Sequence, residues 1–133
     1  AEEKKDSNKM HQILTTMAKS YKNNGEEEMA VQLNQKAVEV GTKIGKHEAV
    51  GENMNSIADI YDKAGKLDQA VVYRQKAINQ FSTADANVML ERTLRSLTLT
   101  YQKAGKLEDA KITLRSSGVM TCTGASAVAI ISP

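Results

Sequence analysis

One cysteine, one proline and no tryptophan occur in 133 residues, and each scarcity removes a class of protein. Cys122 stands alone, so no internal disulfide and no cysteine metal cluster can form. Small residues flank it and no histidine lies near to activate it, which makes it a packing residue. The proline is Pro133, so no helix interior is broken. Four tyrosines and one phenylalanine are too few stacking surfaces for a single-strand nucleic-acid binder. A net charge of +2 builds no field that would draw nucleic acid or an anionic membrane. No apolar run is long enough to span a membrane. A soluble chain is expected, either cytoplasmic or secreted or periplasmic after cleavage; its start at Ala1 suits a processed end or a fragment.

Reactive groups are equally sparse. His11 and His47 have no partner at i+3 or i+4, which argues against a metal site. The glycines form no phosphate-cradling loop. The paired carboxylates, Asp59 with Asp62 and Glu26 to Glu28, read as solvated helix faces, and no nucleophile stands with a base. The expectation is a chain without enzymatic activity, cofactor or metal.

What the chain does have is a period of forty. The frame Tyr-x3-Gly-x4-Ala-x6-Ala reads Tyr21, Gly25, Ala30, Ala37, then Tyr61, Gly65, Ala70, Ala77, then Tyr101, Gly105, Ala110 with Ser117 in the last slot. Residues 56–70 and 96–110 share eight of fifteen identities. A period between about 20 and 50 residues signals stacked repeats. Such a fold presents a long surface, which points to binding before chemistry.

Each unit reads as two antiparallel helices. Met10, Ile13, Leu14, Met17, Ala18 and Tyr21 fall on one helical face, an expected core stripe, and Val50, Met54, Ile57, Ala58 and Tyr61 repeat it. Leu90, Leu94, Leu97 and Tyr101 repeat it again. The frame glycine then ends the first helix, and a second begins at once, with Glu26 to Glu28 in its first turn. Tyr21, Tyr61 and Tyr101 are expected to pack between the two helices, and the frame alanines to admit close neighbours. Gly41 and Gly45 close the first pair, and Ser82-Thr83-Ala84-Asp85 reads as a capping box starting the fifth helix. Each helix should run roughly 16–18 residues.

These residues resemble the tetratricopeptide repeat. The family's large residue at unit position 4 is Leu14, Met54 and Leu94; its Leu at position 7 is Met17, Ile57 and Leu97; its small residue at position 8 is Ala18, Ala58 and Thr98. The forty-residue unit is similar to the longer-helix variants of kinesin light chains and bacterial peptide-sensing regulators. Position 24 departs from the pattern: it holds Asn34, Arg74 and Leu114 in place of an aromatic, with apolar residues one place earlier at Leu33 and Tyr73. The resemblance implies an all-α superhelical solenoid of three helix-turn-helix repeats, at about residues 8–45, 46–85 and 86–118, within a single domain.

The resemblance further implies a concave groove lined by the first helices, where a peptide or protein partner would lie. Carried over position by position, that groove holds Thr15, Lys19 and Lys22 from the first unit, Asn55, Asp59 and Asp62 from the second, and Arg92, Arg95, Leu99 and Gln102 from the third. The slots that clamp a peptide carboxylate in a chaperone-tail receptor read Thr15/Lys19, Asn55/Asp59 and Arg95/Leu99 here, and Asp59 would repel such a carboxylate. The rival expectation is a self-assembling homo-oligomer joined through repeat ends and the tail. From Ser116 onward no charge occurs, and the apolar stretch 119–133 suits either a cover on the last repeat or an arm to a neighbour.

Overall fold

The computed structural model describes residues 2–116, so the uncharged tail and the expected continuation of the sixth helix lie outside the described residues. Within them are six helices and no strand: α1 (Glu2–Asn23), α2 (Glu27–Lys43), α3 (His47–Lys63), α4 (Leu67–Thr83), α5 (Asn87–Lys103) and α6 (Leu107–Ser116). The chain is an all-α helical-repeat superhelix. Helices α2 to α5 are each 17 residues long, within the length the period implied. Consecutive helices pack against one another along the whole stack.

The turns repeat one geometry. At the end of α3 the Lys66 N–H donates to the Tyr61 carbonyl at 2.8 Å and the Gly65 N–H to the Asp62 carbonyl at 3.1 Å. This six-to-one and five-to-two pair closes a helix through one left-handed residue, here Gly65 with φ +80°. The Lys66 carbonyl then accepts from the Ala70 N–H as the first bond of α4, so only three residues, 64–66, connect the two helices. The fourth turn uses the same geometry with Asp85 at φ +53°. This corrects the expected capping box: Ser82 and Thr83 belong to the last turn of α4, and no side chain caps α5. Asp85 occupies the left-handed slot that glycine fills in the other turns, a slot aspartate tolerates better than most residues.

Gly41 does not close a turn; that is the work of Gly45, at φ +71°. Gly41 lies buried inside α2, where a Cβ would meet Val50 at 2.6 Å and His11 at 3.1 Å. Gly51 in α3 faces Phe81 in the same way, at 2.7 Å. The two pairs, His11 with Gly41 and Gly51 with Phe81, hold the same register in successive units with the bulky and small partners exchanged. Within each unit the volume is conserved while the side that supplies it changes.

The core follows the frame. Ala30, Ala37, Ala70 and Ala77 are fully buried, as are Val50, Ile57 and Phe81. Tyr21 and Tyr61 are half-buried against Ala30, Val31, Ile57 and Ile60, and Tyr101 is buried beside Val71, Leu97 and Ala110. Tyr73 joins the first two clusters, its ring 5.8 Å from that of Tyr61. The stripe expected on α1 is a correction. Ala18 is buried, but Met10, Ile13 and Met17 are 55%, 58% and 41% exposed. The reason is position in the stack: no earlier described helix covers α1.

Candidate functional site

The first helix of each unit carries the expected groove residues, and the structure divides them into two kinds. Lys19, Arg92, Arg95, Leu99 and Gln102 are exposed. Thr15, Asn55 and Asp62 instead reach sideways into the junctions between units. Lys22 is half-buried, and Asp59 lies on the boundary, half-exposed while bound to a buried partner.

That partner is Arg74 of α4, whose side chain is only 6% exposed. Its Nη2 donates to Asp59 Oδ1 at 2.7 Å and stands 3.6 Å from Asp62 Oδ2. Its Nη1 donates to Asn55 Oδ1 at 3.4 Å and its Nε to Thr100 Oγ1 at 3.3 Å. One guanidinium therefore ties α4 to α3 and to α5. A planar fork of five donors suits this task, because each edge meets a different acceptor.

Asp62 is the most enclosed acid of the cluster, 11% exposed. Lys103 Nζ donates to its Oδ1 at 2.7 Å and the Thr100 hydroxyl to its Oδ2 at 2.7 Å. Burial alone would raise its carboxyl. The hydrogen bonds from Lys103 and Thr100, with the charges of Lys103 and Arg74, outweigh burial and hold the group below the ordinary 3.8. A buried charge needs pairing and hydrogen bonds together, and here both are present.

Above this cluster opens a cleft of about 310 Å³ between α3 and α5, lined by Asp59, Asp62, Lys63, Ser96, Leu99 and Lys103 with Arg74 at its floor. Leu99 is 58% exposed at its wall. Asp59 does not stand there as a bare negative charge, since Arg74 neutralises it. Arg95 pairs with Glu91 on its own helix at 2.7 Å. Lys19, Lys22, Lys63 and Arg92 have no ion pair among the described residues.

The junction between the first two units has a different chemistry at the same register. Asn53 donates both amide protons, to Thr15 Oγ1 and to Asn34 Oδ1, each at 3.1 Å. Its oxygen is left to accept, so His11 must carry its proton on Nε2, which lies 2.8 Å away. Asn34 donates to the Ala30 carbonyl at 3.1 Å. Asn34 and Arg74 are forty residues apart, as are Thr15 and Asn55, so one template holds a neutral amide network once and an ionic one next.

Sequence reasoning missed Arg74, Thr100, Asn53 and His11 as structural polar residues. The signal lay at unit position 24, where Asn34 and Arg74 replace the family's aromatic. A polar residue at a core position of a repeat requires a polar partner across the junction. Among the described residues, no group of three or more His, Cys, Asp or Glu side chains could hold a metal ion, and no helix is long and apolar enough to cross a membrane.

Comparison with known proteins agrees with this architecture. A tetratricopeptide-repeat family model matches residues 9–83. No curated protein sequence matches the chain significantly. Among solved structures, BtubC (BKLC) from P. vanneervenii superposes with a TM-score of 0.70 at 19% identity, covering 80% of this chain and 44% of that one. A candidate kinesin light chain of Podospora anserina, with nearly identical TPR-like repeats, gives 0.69 at 18% identity, covering 86% and 56%. The chain thus spans about half the length of these two structures. Repeats of this kind generally serve protein–protein interaction or assembly. By its period, its paired helices and the match over residues 9–83, the chain belongs to the tetratricopeptide repeat family.

Proposed function

We propose that the chain is a non-enzymatic interaction module that takes a peptide or an extended protein segment along the face formed by α1, α3 and α5. The observation that carries this reading is the cleft between α3 and α5, where the exposed Leu99 stands over a charge cluster already satisfied from below. A leucine 58% exposed beside fixed polar groups is a poor solvent surface and a good anchor point. The acids Asp59 and Asp62 are held by Arg74 and Lys103, so they shape the floor and do not repel an incoming segment. The partner would offer an apolar side chain to Leu99, with hydrogen-bond acceptors for Lys63 in the same cleft and, elsewhere on the first helices, for the exposed cations Lys19 and Arg92.

Selection from a displayed random-peptide library on the intact chain tests the reading. Peptides so obtained should lose most of their affinity for Leu99→Lys and for a Lys19→Ser, Arg92→Ser double variant. Val72→Ser, on the exposed surface of α4, should bind them as the parent does. Peptides that ignore the Leu99 and cation changes but fail on Val72→Ser would move the interface to the second helices.

A further inference from the structure

The link between α1 and α2 differs chemically from the later turns at one place. The residue before the left-handed position is Ile44, Ala64, Ala84 or Ala104 in those turns, and Asn24 in the first. Asn24 is exposed, and its side-chain amide makes no hydrogen bond among the described residues. Gly25 follows with φ +84°, and a Cβ there would meet nothing within 4 Å. An unhindered backbone nitrogen thus stands beside a free carboxamide, in the one Asn–Gly pair of the sequence. Asn34, Asn53 and Asn55 are placed otherwise. Each lies inside a helix, each amide is held by hydrogen bonds, and a residue with a side chain follows it.

We propose that Asn24–Gly25 is a site of spontaneous covalent modification, at which Asn24 turns into aspartate and isoaspartate through a cyclic imide when the first turn opens. The Gly25 nitrogen, having lost its proton to hydroxide, attacks Cγ of Asn24. A new N–Cγ bond forms, the Cγ–Nδ2 bond breaks, and Nδ2 leaves as ammonia after taking a proton from water. The imide then takes up one water. Addition at Cγ restores the ordinary backbone and leaves aspartate. Addition at the main-chain carbonyl leaves isoaspartate, with the backbone rerouted through the side chain and one carbon longer.

The fold holds this reaction back. The Gly25 N–H donates to the Lys22 carbonyl at 3.0 Å, so the attacking nitrogen is engaged while the turn is closed. The Glu26 N–H to the Tyr21 carbonyl at 2.9 Å and the Asn24 N–H to the Ser20 carbonyl at 3.1 Å hold the same turn. Conversion therefore follows local opening, which a surface turn reaches far more often than the core does. Both products then change the turn. Isoaspartate lengthens the rings closed by the Gly25 and Glu26 hydrogen bonds, so they no longer fit the helix end. Aspartate puts a negative charge at the C-terminal end of α1, where the helix dipole disfavours it.

Incubating the full chain at mildly alkaline pH, folded and in urea, tests the proposal. Peptide mapping with fragmentation that separates aspartate from isoaspartate is the readout. The expected result is conversion at residue 24 ahead of every other asparagine, faster as pH rises and several-fold faster in urea. Asn24→Ala, which copies Ala64 and Ala104 at the same place in their turns, should fold and lose this acidic species. The purified isoaspartyl form should melt below the parent, with Asn24→Asp between the two. Another asparagine reacting first in the folded chain, or an undiminished acidic species in Asn24→Ala, overturns the site. Equal rates folded and in urea overturn the control by the turn, and an isoaspartyl form that melts with the parent overturns the structural consequence.

Discussion

The two internal junctions are built on one template and stabilised by different physics. Between the first and second units, four neutral groups exchange hydrogen bonds around Asn53. Between the second and third, a buried guanidinium and a lysine are balanced by two carboxylates. Removing one member of a neutral network strands a donor or acceptor, at about 1–3 kcal/mol. Removing one member of a buried ionic network strands a charge, at roughly 3–5 kcal/mol. Backbone geometry therefore repeats while sensitivity to mutation does not. The difference also makes the units non-interchangeable, since Arg74 needs acids at 59 and 62 where the first unit has Lys19 and Lys22.

The largest expected effect breaks the ionic junction. Arg74→Met should cost about 3 kcal/mol, near the low end for a buried pair because Asp59 is half-exposed and Asp62 keeps Lys103. Asn34→Leu, at the same register, should cost about 1–2 kcal/mol by leaving one Asn53 donor unmatched. Urea unfolding of both variants measures the gap, and equal midpoints would show that charge plays no special part.

A second test concerns the exchanged bulk inside the units. Gly51→Ala places a methyl 2.7 Å from the Phe81 ring and should cost roughly 1–3 kcal/mol by overpacking. Adding Phe81→Leu should recover part of that loss in a double-mutant cycle, because the two positions share one space. Strict additivity in thermal melts would disprove the coupling.

A smaller effect distinguishes the junctions by pH. The folded Asp62 carboxyl lies below its ordinary 3.8, so its unfolded form binds the proton first as acid is added. The stabilisation it brings is present above pH 3.8 and is lost as pH falls through the lower folded value. Asp62→Asn should lack this increment at neutral pH and show a shallower loss of melting temperature on acidification. The same slope in both proteins would remove Asp62 from the ionic junction's account.

The repeat made the fold legible before any coordinates. The Tyr, Gly and Ala of the frame mark where helices meet, turn and touch, and those requirements are local or recur every forty residues. Asp85 was misread because its sequence context, Ser-Thr-Ala-Asp, also fits the start of a helix; only the twenty-residue spacing from Gly65 and Gly105 shows it to be a turn residue. Met10, Ile13 and Met17 were misread because periodicity reports that a helix has an apolar face and cannot report whether a neighbour covers it. The groove list was half transparent. Lys19, Arg92 and Leu99 lie on the surface as the resemblance implied, whereas Asn55 and Asp62 turn into the junction to meet Thr93, Thr100 and Arg74. That turn follows from Arg74 being polar at a core position, a non-local demand between residues 12 and 26 apart that no helical pattern displays.

The central claim is that each junction's polar set forms a matched unit, and transplanting one set tests it most directly. Asn34→Arg introduces a guanidinium beside Lys19 and Lys22 where no acid awaits it, and should lower stability by roughly 3–5 kcal/mol. Asn34→Arg combined with Lys19→Asp and Lys22→Asp rebuilds the acids of the second junction at the first, at the positions of Asp59 and Asp62. Unfolding free energies of the single and triple variants are the deciding measurement: the account predicts that the triple variant recovers most of the loss, and a triple variant no more stable than Asn34→Arg alone would contradict it.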